Sequence, residues 1–75
     1  MKNNLTEYLT VKSSAVTSVW YKSSIASLVV DYKNGSSYEY LNVPYFVFEG
    51  FRSAGSKGSF INKYVKGKFE FNKWN

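Results

Sequence analysis

Asn34-Gly35 is the feature that most constrains this chain. It separates two extended runs, Ala26 to Tyr32 and Ser36 to Asn42, and an Asn-Gly pair between such runs is a strong hairpin signal. Side-chain parity then decides the loop length. Leu28, Val30 and Tyr32 share one face of the first run, and Tyr38 and Tyr40 share one face of the second. A two-residue loop would set Val30 opposite Glu39 and Asp31 opposite Tyr38, mixing core and solvent faces. A three-residue loop, Lys33-Asn34-Gly35, closes Tyr32 against Ser36, pairs Val30 with Tyr38 and pairs Leu28 with Tyr40. It places Gly35 in the left-handed conformation of a bulge, where a side chain is penalised. The three-residue loop is therefore predicted, with Asp31 and Glu39 on the outer face beside Val29 and Leu41. Two carboxylates there repel phosphate, so this face differs from the aromatic sheet platforms that bind RNA.

Ala15 to Tyr21 is rich in β-branched and aromatic residues and reads as a strand ahead of a turn at Ser23-Ser24. The first ten residues fit either a helical turn through Leu5, Tyr8 and Leu9 or a strand beginning with Leu9 and Val11. After the hairpin, Asn42-Val43-Pro44 predicts a helix start, with Asn42 as N-cap and Pro44 in the first turn. Val47, Phe48 and Phe51 should face the core. Gly50 costs this helix about 1 kcal/mol relative to Ala, and Ala54-Gly55 ends it. Ser56 caps a second helix. Its apolar stripe is Phe60, Ile61, Tyr64 and Val65, and its opposite face carries Ser59, Asn62, Lys63 and Lys66. Gly67 suits the position just past the helix end. Lys68 to Phe71 alternates as a short extended segment, with Phe69 and Phe71 covering the edge of the core. The expected fold class is α+β: a three-stranded antiparallel β-sheet followed by two short α-helices packed on one face (βββαα).

With 75 residues there is room for one domain, and a domain of this size buries only about 60% of its unfolded surface. The chain has no Cys and no His, so neither disulfides nor Cys/His metal sites can staple it. Its resource is aromatic mass: seven Tyr, six Phe and two Trp, each able to bury a large area. The N-terminus lacks the apolar run of a signal peptide, and no apolar stretch is long enough to span a bilayer. The expectation is a cytoplasmic protein without membrane association, cofactor or metal.

The net charge of +5 is unevenly placed. Four lysines and four carboxylates balance over residues 1–51, whereas residues 52–75 carry six cations against Glu70 alone. Such asymmetry points to a polyanion or an acidic protein surface as partner.

The elements in this order resemble the KTSC domain, a family named after an occurrence at the C-terminus of a lysyl-tRNA synthetase. The residues that carry the resemblance are Ser14-Ala15-Val16 with Val19 and Tyr21, Tyr38-Glu39-Tyr40 with Val43-Pro44, and Ser56-Lys57-Gly58 with Phe60, Asn62, Val65 and Gly67. On this reading residues 1–12 are an N-terminal extension, residues 13–69 the domain and residues 70–75 a tail. The resemblance implies a small standalone protein of a bacterium or its phage, in the latter case acting in the host cytoplasm, and a nucleic-acid role. Trp20 departs from the pattern, standing where such domains often have a small residue, so a large apolar group is expected at the surface there.

Catalysis is not expected. Without His or Cys the usual acid–base and nucleophilic arrangements are unavailable, and Ser56 is explained by capping rather than by a dyad with Lys57. Two binding functions follow instead. The first is nucleic-acid binding through Lys57, Gly58, Asn62, Lys63, Lys66 and Lys68, with Trp20 or Trp74 as a stacking surface. Four lysines on duplex phosphates would give a salt slope of about −3.6. The second is a protein–protein interaction module, such as a small phage inhibitor of a host protein, using Trp20, Val29 and Leu41 as an apolar patch. Its variant is a monomer that weakly dimerises through an open sheet edge. Gly58 within a first helical turn is costly. Close approach of a ligand to the backbone would explain it, and tight packing against the first helix is the simpler reading.

Overall fold

The computed structural model describes residues 6–74. Five antiparallel strands form one sheet in chain order: β1 (Thr6–Thr10), β2 (Val16–Lys22), β3 (Ser27–Tyr32), β4 (Ser37–Tyr40) and β5 (Phe71–Lys73). Between β4 and β5 come α1 (Tyr45–Ser53) and α2 (Lys57–Phe60), and α2 runs on as a π-helical turn (Ile61–Val65). The α+β class and the two consecutive helices match expectation. Among the described residues the sheet has five strands, not three.

The hairpin register is the predicted one. Leu28 pairs with Tyr40, Val29 with Glu39 and Val30 with Tyr38. The Tyr32 N–H donates to the Ser36 carbonyl at 2.8 Å, and Gly35 has φ +93°, the left-handed backbone that only glycine adopts at no steric cost.

The two additional strands flank this frame. β1 pairs with β2, placing Tyr8 across from Trp20 and Leu9 across from Val19. Leu9 packs on the core, and Glu7 reaches α1, where Arg52 and the Tyr45 hydroxyl meet its carboxylate at 3.3 and 3.1 Å. The helical-turn alternative for this region is thus replaced by a strand; Leu5 lies outside the described residues. β5 adds to the other side of the sheet after the helices, held at its ends by Leu41 N–H to Glu70 O and Trp74 N–H to Ser37 O, both 2.8 Å. Phe71 sets its ring 5.3 Å from Tyr38 and 5.8 Å from Tyr40. Residues 6–10 and 71–73, in the segments expected to be extension and tail, therefore belong to the sheet.

One face of the sheet carries the core. Val19, Tyr21, Leu28, Val30 and Tyr40 meet Val43, Phe48, Phe51, Ile61 and Val65, all buried. Removing each such side chain from water contributes about 1.5–3 kcal/mol. Tyr21 stacks on Phe48 at 5.2 Å and donates its hydroxyl to the Val43 carbonyl at 2.7 Å. The Val43 N–H in turn donates to Ala26 O at 2.8 Å. To bring Val43 into that slot the chain reverses at Asn42, whose φ is +57°. Asn is one of the residues that tolerate this conformation. Asn42 is therefore not the N-cap: Pro44 occupies that position, with no side-chain capping bond.

Where the two helices meet, a Cβ on Gly50 would stand 3.1 Å from the Phe60 ring. Gly50 is thus the glycine that permits close helix packing. At Gly58 the nearest atoms to such a Cβ are Ser13 Oγ at 3.5 Å and Ala15 Cβ at 3.9 Å. Gly58 therefore faces the β1–β2 loop at ordinary contact distance, not α1 as the packing argument expected.

Candidate nucleic-acid interface

A polar cleft of about 360 Å³ separates the β1–β2 loop from the start of α2. Lys12, Ser13, Ser14 and Ala15 form one wall; Gly55, Ser56, Lys57, Gly58, Ser59 and Asn62 form the other. Both walls are set by local hydrogen bonds. Ser13 Oγ accepts from the N–H groups of Ala15 and Val16 at 3.1 and 3.3 Å, closing the loop. Ser56 Oγ accepts from the Ser59 N–H at 3.4 Å, the predicted cap. Among the described residues, no carboxylate lines the cleft. The acids sit elsewhere: Glu7 and Glu49 contact Arg52 at 3.3 and 3.4 Å, and Asp31 and Glu39 lie on the outer sheet face. There Asp31 accepts from Ser18 and Ser37 at 2.8 and 2.6 Å, and Glu39 from Ser27 at 2.9 Å.

Lys57, expected to bind phosphate, has a different task. Its ammonium donates to the carbonyls of Phe51, Arg52 and Ala54 at 2.9, 2.7 and 2.8 Å. All three protons are spent on the C-terminal carbonyls of α1, groups that a helix leaves without intrahelical partners. Lys57 lines the cleft while its ammonium is turned to α1.

Beyond the cleft, α2 leaves α-geometry. The Lys66 N–H donates to Ile61 O at 2.8 Å, a five-residue step that widens the turn. Ile61 and Val65 stay buried, while Asn62, Lys63, Tyr64 and Lys66 are exposed. Tyr64, assigned by α-helical spacing to the core stripe, is 49% exposed. Its ring lies 4.8 Å from Phe60 and beneath the Lys63 ammonium, 5.5 Å from the centroid. The widened turn carries it off the stripe, and no local sequence signal announces that. Gly67 follows with φ +79°, as expected of the residue past the helix end.

The structure thus brings Lys57, Gly58 and Asn62 to one cleft, with Lys63 and Lys66 exposed after it in the chain. Lys12 was not anticipated there. Lys68 lines a separate depression with Leu41, Glu70 and Phe71. Of the three residues expected to form an apolar patch, Trp20 is exposed and packs edge-on against Tyr8 at 5.5 Å. Val29 is 1% exposed, lying in the ladder between Trp20 and Glu39, so it is not available to a partner. Leu41 is half-buried beside the C-terminal segment. Trp74 lies next to Ser37, at the end of β5.

Comparison with known proteins defines the class of small α+β domain to which this arrangement corresponds. The model of the KTSC domain matches residues 12–69, and the chain belongs to that family. It is 38% identical over 60 residues to a lysine–tRNA ligase of Nostoc punctiforme, a match covering 80% of this chain and 11% of that enzyme. A lysine–tRNA ligase of Trichormus variabilis is 41% identical over 51 residues, covering 68% of this chain and 9% of that enzyme. The chain thus spans only about a tenth of the length of these ligases. A small protein of Tsukamurella paurometabola is 36% identical over 59 residues, covering 79% of this chain and 88% of its own length. The crystal structure of a KTSC domain protein from Yersinia pestis superposes with a TM-score of 0.86 at 33% identity, covering 95% of this chain and all (100%) of that one.

Proposed function

We propose that this domain is a non-enzymatic module that binds the sugar–phosphate backbone of a nucleic acid in the cytoplasm, through the α2 cleft and the lysines beside it. The observation that carries the reading is the cleft's composition: hydroxyls of Ser13, Ser14, Ser56 and Ser59, the Asn62 amide and Lys12, with no carboxylate among the described residues. Phosphate and sugar contacts draw on Lys, Ser and Asn side chains together with backbone N–H groups. Lys63 and Lys66 extend the positive surface. The related ligases couple lysine to tRNA, so a domain carried on them works beside an RNA. A serine–lysine dyad is not supported, because Ser56 Oγ caps Ser59 and the Lys57 ammonium is bonded to three carbonyls.

The test is fluorescence anisotropy with labelled oligonucleotides on nuclease-treated protein. Reversing charge at Lys63→Glu together with Lys66→Glu is expected to abolish binding without unfolding the domain. Unchanged affinity would reject the interface.

A second reading, protein binding, rests on the exposed Tyr8–Trp20 pair of the outer sheet face. A partner held there would be lost with Trp20→Ala, kept by the lysine variants and retained in a pull-down after nuclease treatment. Loss of all captured material on nuclease treatment would argue against it.

A further inference from the structure

We infer that the proposed nucleic-acid ligand is single-stranded, and that Tyr64 is the residue that selects it by stacking on a base. The inference rests on the backbone-binding reading above and concerns what that same surface distinguishes. Tyr64 projects from the π-helical turn, half exposed, with the exposed Asn62, Lys63 and Lys66 beside it in the chain. Asn62, two residues earlier, lines the cleft, and Lys63 and Lys66 flank the ring in sequence. Phe60 braces the ring from within at 4.8 Å, and Phe60 is itself held by Phe51 at 6.1 Å. The aromatic is therefore backed by Phe60 and, through it, by the buried Phe51. An exposed aromatic ring with lysines beside it is the arrangement that binds unpaired bases, because every base has a π-face while the lysines follow the backbone. In a duplex the bases are already stacked on each other, so their faces are closed to an aromatic ring while the phosphates stay accessible. The Lys63 ammonium now over the ring is a long, exposed side chain that can move to a phosphate when a base takes its place.

Three probes decide this: a short fluorescein-labelled RNA strand, the same sequence as DNA, and the annealed duplex. The single strands are expected to bind more tightly than the duplex. Tyr64→Ala should weaken single-strand binding by about five-fold or more and leave duplex binding unchanged, whereas Tyr64→Phe, which keeps the ring, should retain it. A 2-aminopurine base in the strand should be quenched by the native protein and by Tyr64→Phe, but not by Tyr64→Ala. If the duplex binds as tightly as the single strands, or Tyr64→Ala changes nothing while Lys63→Glu with Lys66→Glu abolishes binding, the stacking role is overturned and the backbone-binding reading stands. If none of the three probes binds, both are overturned. A difference between the RNA and DNA strands would show which sugar the cleft accepts, provided both outbind the duplex.

Discussion

Lys57 is joined to Phe51 twice: its ammonium donates to the Phe51 carbonyl at 2.9 Å and lies 5.4 Å from the centroid of the Phe51 ring. Two further bonds, to the carbonyls of Arg52 and Ala54, make this one side chain the cap of α1. A cation is also what the negative end of the helix dipole favours. Lys57→Met keeps the stem and removes the donors, so it should destabilise the domain by about 2 kcal/mol. That loss corresponds to a fall in Tm of roughly 8–15 °C for a domain of this size. Lys57→Arg should rescue only partly, because a planar fork cannot converge on three carbonyls as an ammonium does. Thermal unfolding followed by circular dichroism reads this directly. An unchanged Tm for Lys57→Met would show that the three bonds contribute nothing net.

The two glycines facing neighbouring elements should answer alanine with opposite signs. Alanine is favoured over glycine in a helix by about 1 kcal/mol. At Gly58 an added methyl meets Ser13 and Ala15 at ordinary contact distance, so Gly58→Ala should stabilise by roughly 0.5–1 kcal/mol. At Gly50 the methyl would press on the Phe60 ring at 3.1 and 3.2 Å, and that ring is boxed in by Phe51 and Tyr64. Overpacking outweighs propensity there, and Gly50→Ala should cost about 1 kcal/mol net. Urea unfolding of both variants tests the pair; a more stable Gly50→Ala protein would mean that Phe60 yields freely.

Three tyrosines should make the domain weaken in alkali. Tyr32 is pushed well above its ordinary value by burial, with Tyr40 and Tyr38 adding to the effect. Tyr45 is pushed up to about 12 by the Glu49 carboxylate, with burial and Glu7 contributing, and Tyr21 is raised by burial. The folded state therefore holds these protons to higher pH than the unfolded chain, whose phenols ionise near pH 10. Below that value both states are protonated and nothing is lost. From about pH 10 to 12 the unfolded chain binds fewer protons, so stability falls as pH rises. Ultraviolet titration should show part of the seven tyrosines ionising late in the native protein and all of them near pH 10 in urea. A single native transition at pH 10 would contradict this.

What the sequence made legible follows from how local each signal is. The hairpin register could be read because parity over Leu28, Val30, Tyr38 and Tyr40 admits one loop length, and Ser56 and Gly67 announce the start of α2 and the end of the π-helical turn that continues it. β1 could not be read, because what fixes it is Glu7 reaching Arg52, 45 residues away, and pairing with β2. β5 is three residues long, too short for alternation to register. Within the candidate interface, composition located the basic third of the chain but could not tell a lysine aimed at solvent from one aimed at the Phe51 carbonyl. Tyr64 was hidden for another reason: an α-helical wheel places it in the core, and only the π-helical turn brings it out.

The central claim, that the cleft and the lysines beside it hold a nucleic-acid backbone, is tested most directly by the salt dependence of oligonucleotide affinity. With Lys57 committed to α1, and Lys68 lining a separate depression, Lys12, Lys63 and Lys66 remain. Three phosphates neutralised on a single strand give a slope of about −2 in log affinity against log salt. A four-fold rise in salt should then weaken binding about 20-fold, and each Lys→Gln change at these positions should flatten the slope by about 0.7. A slope near zero, or one that Lys63→Gln and Lys66→Gln leave unaltered, would contradict the account.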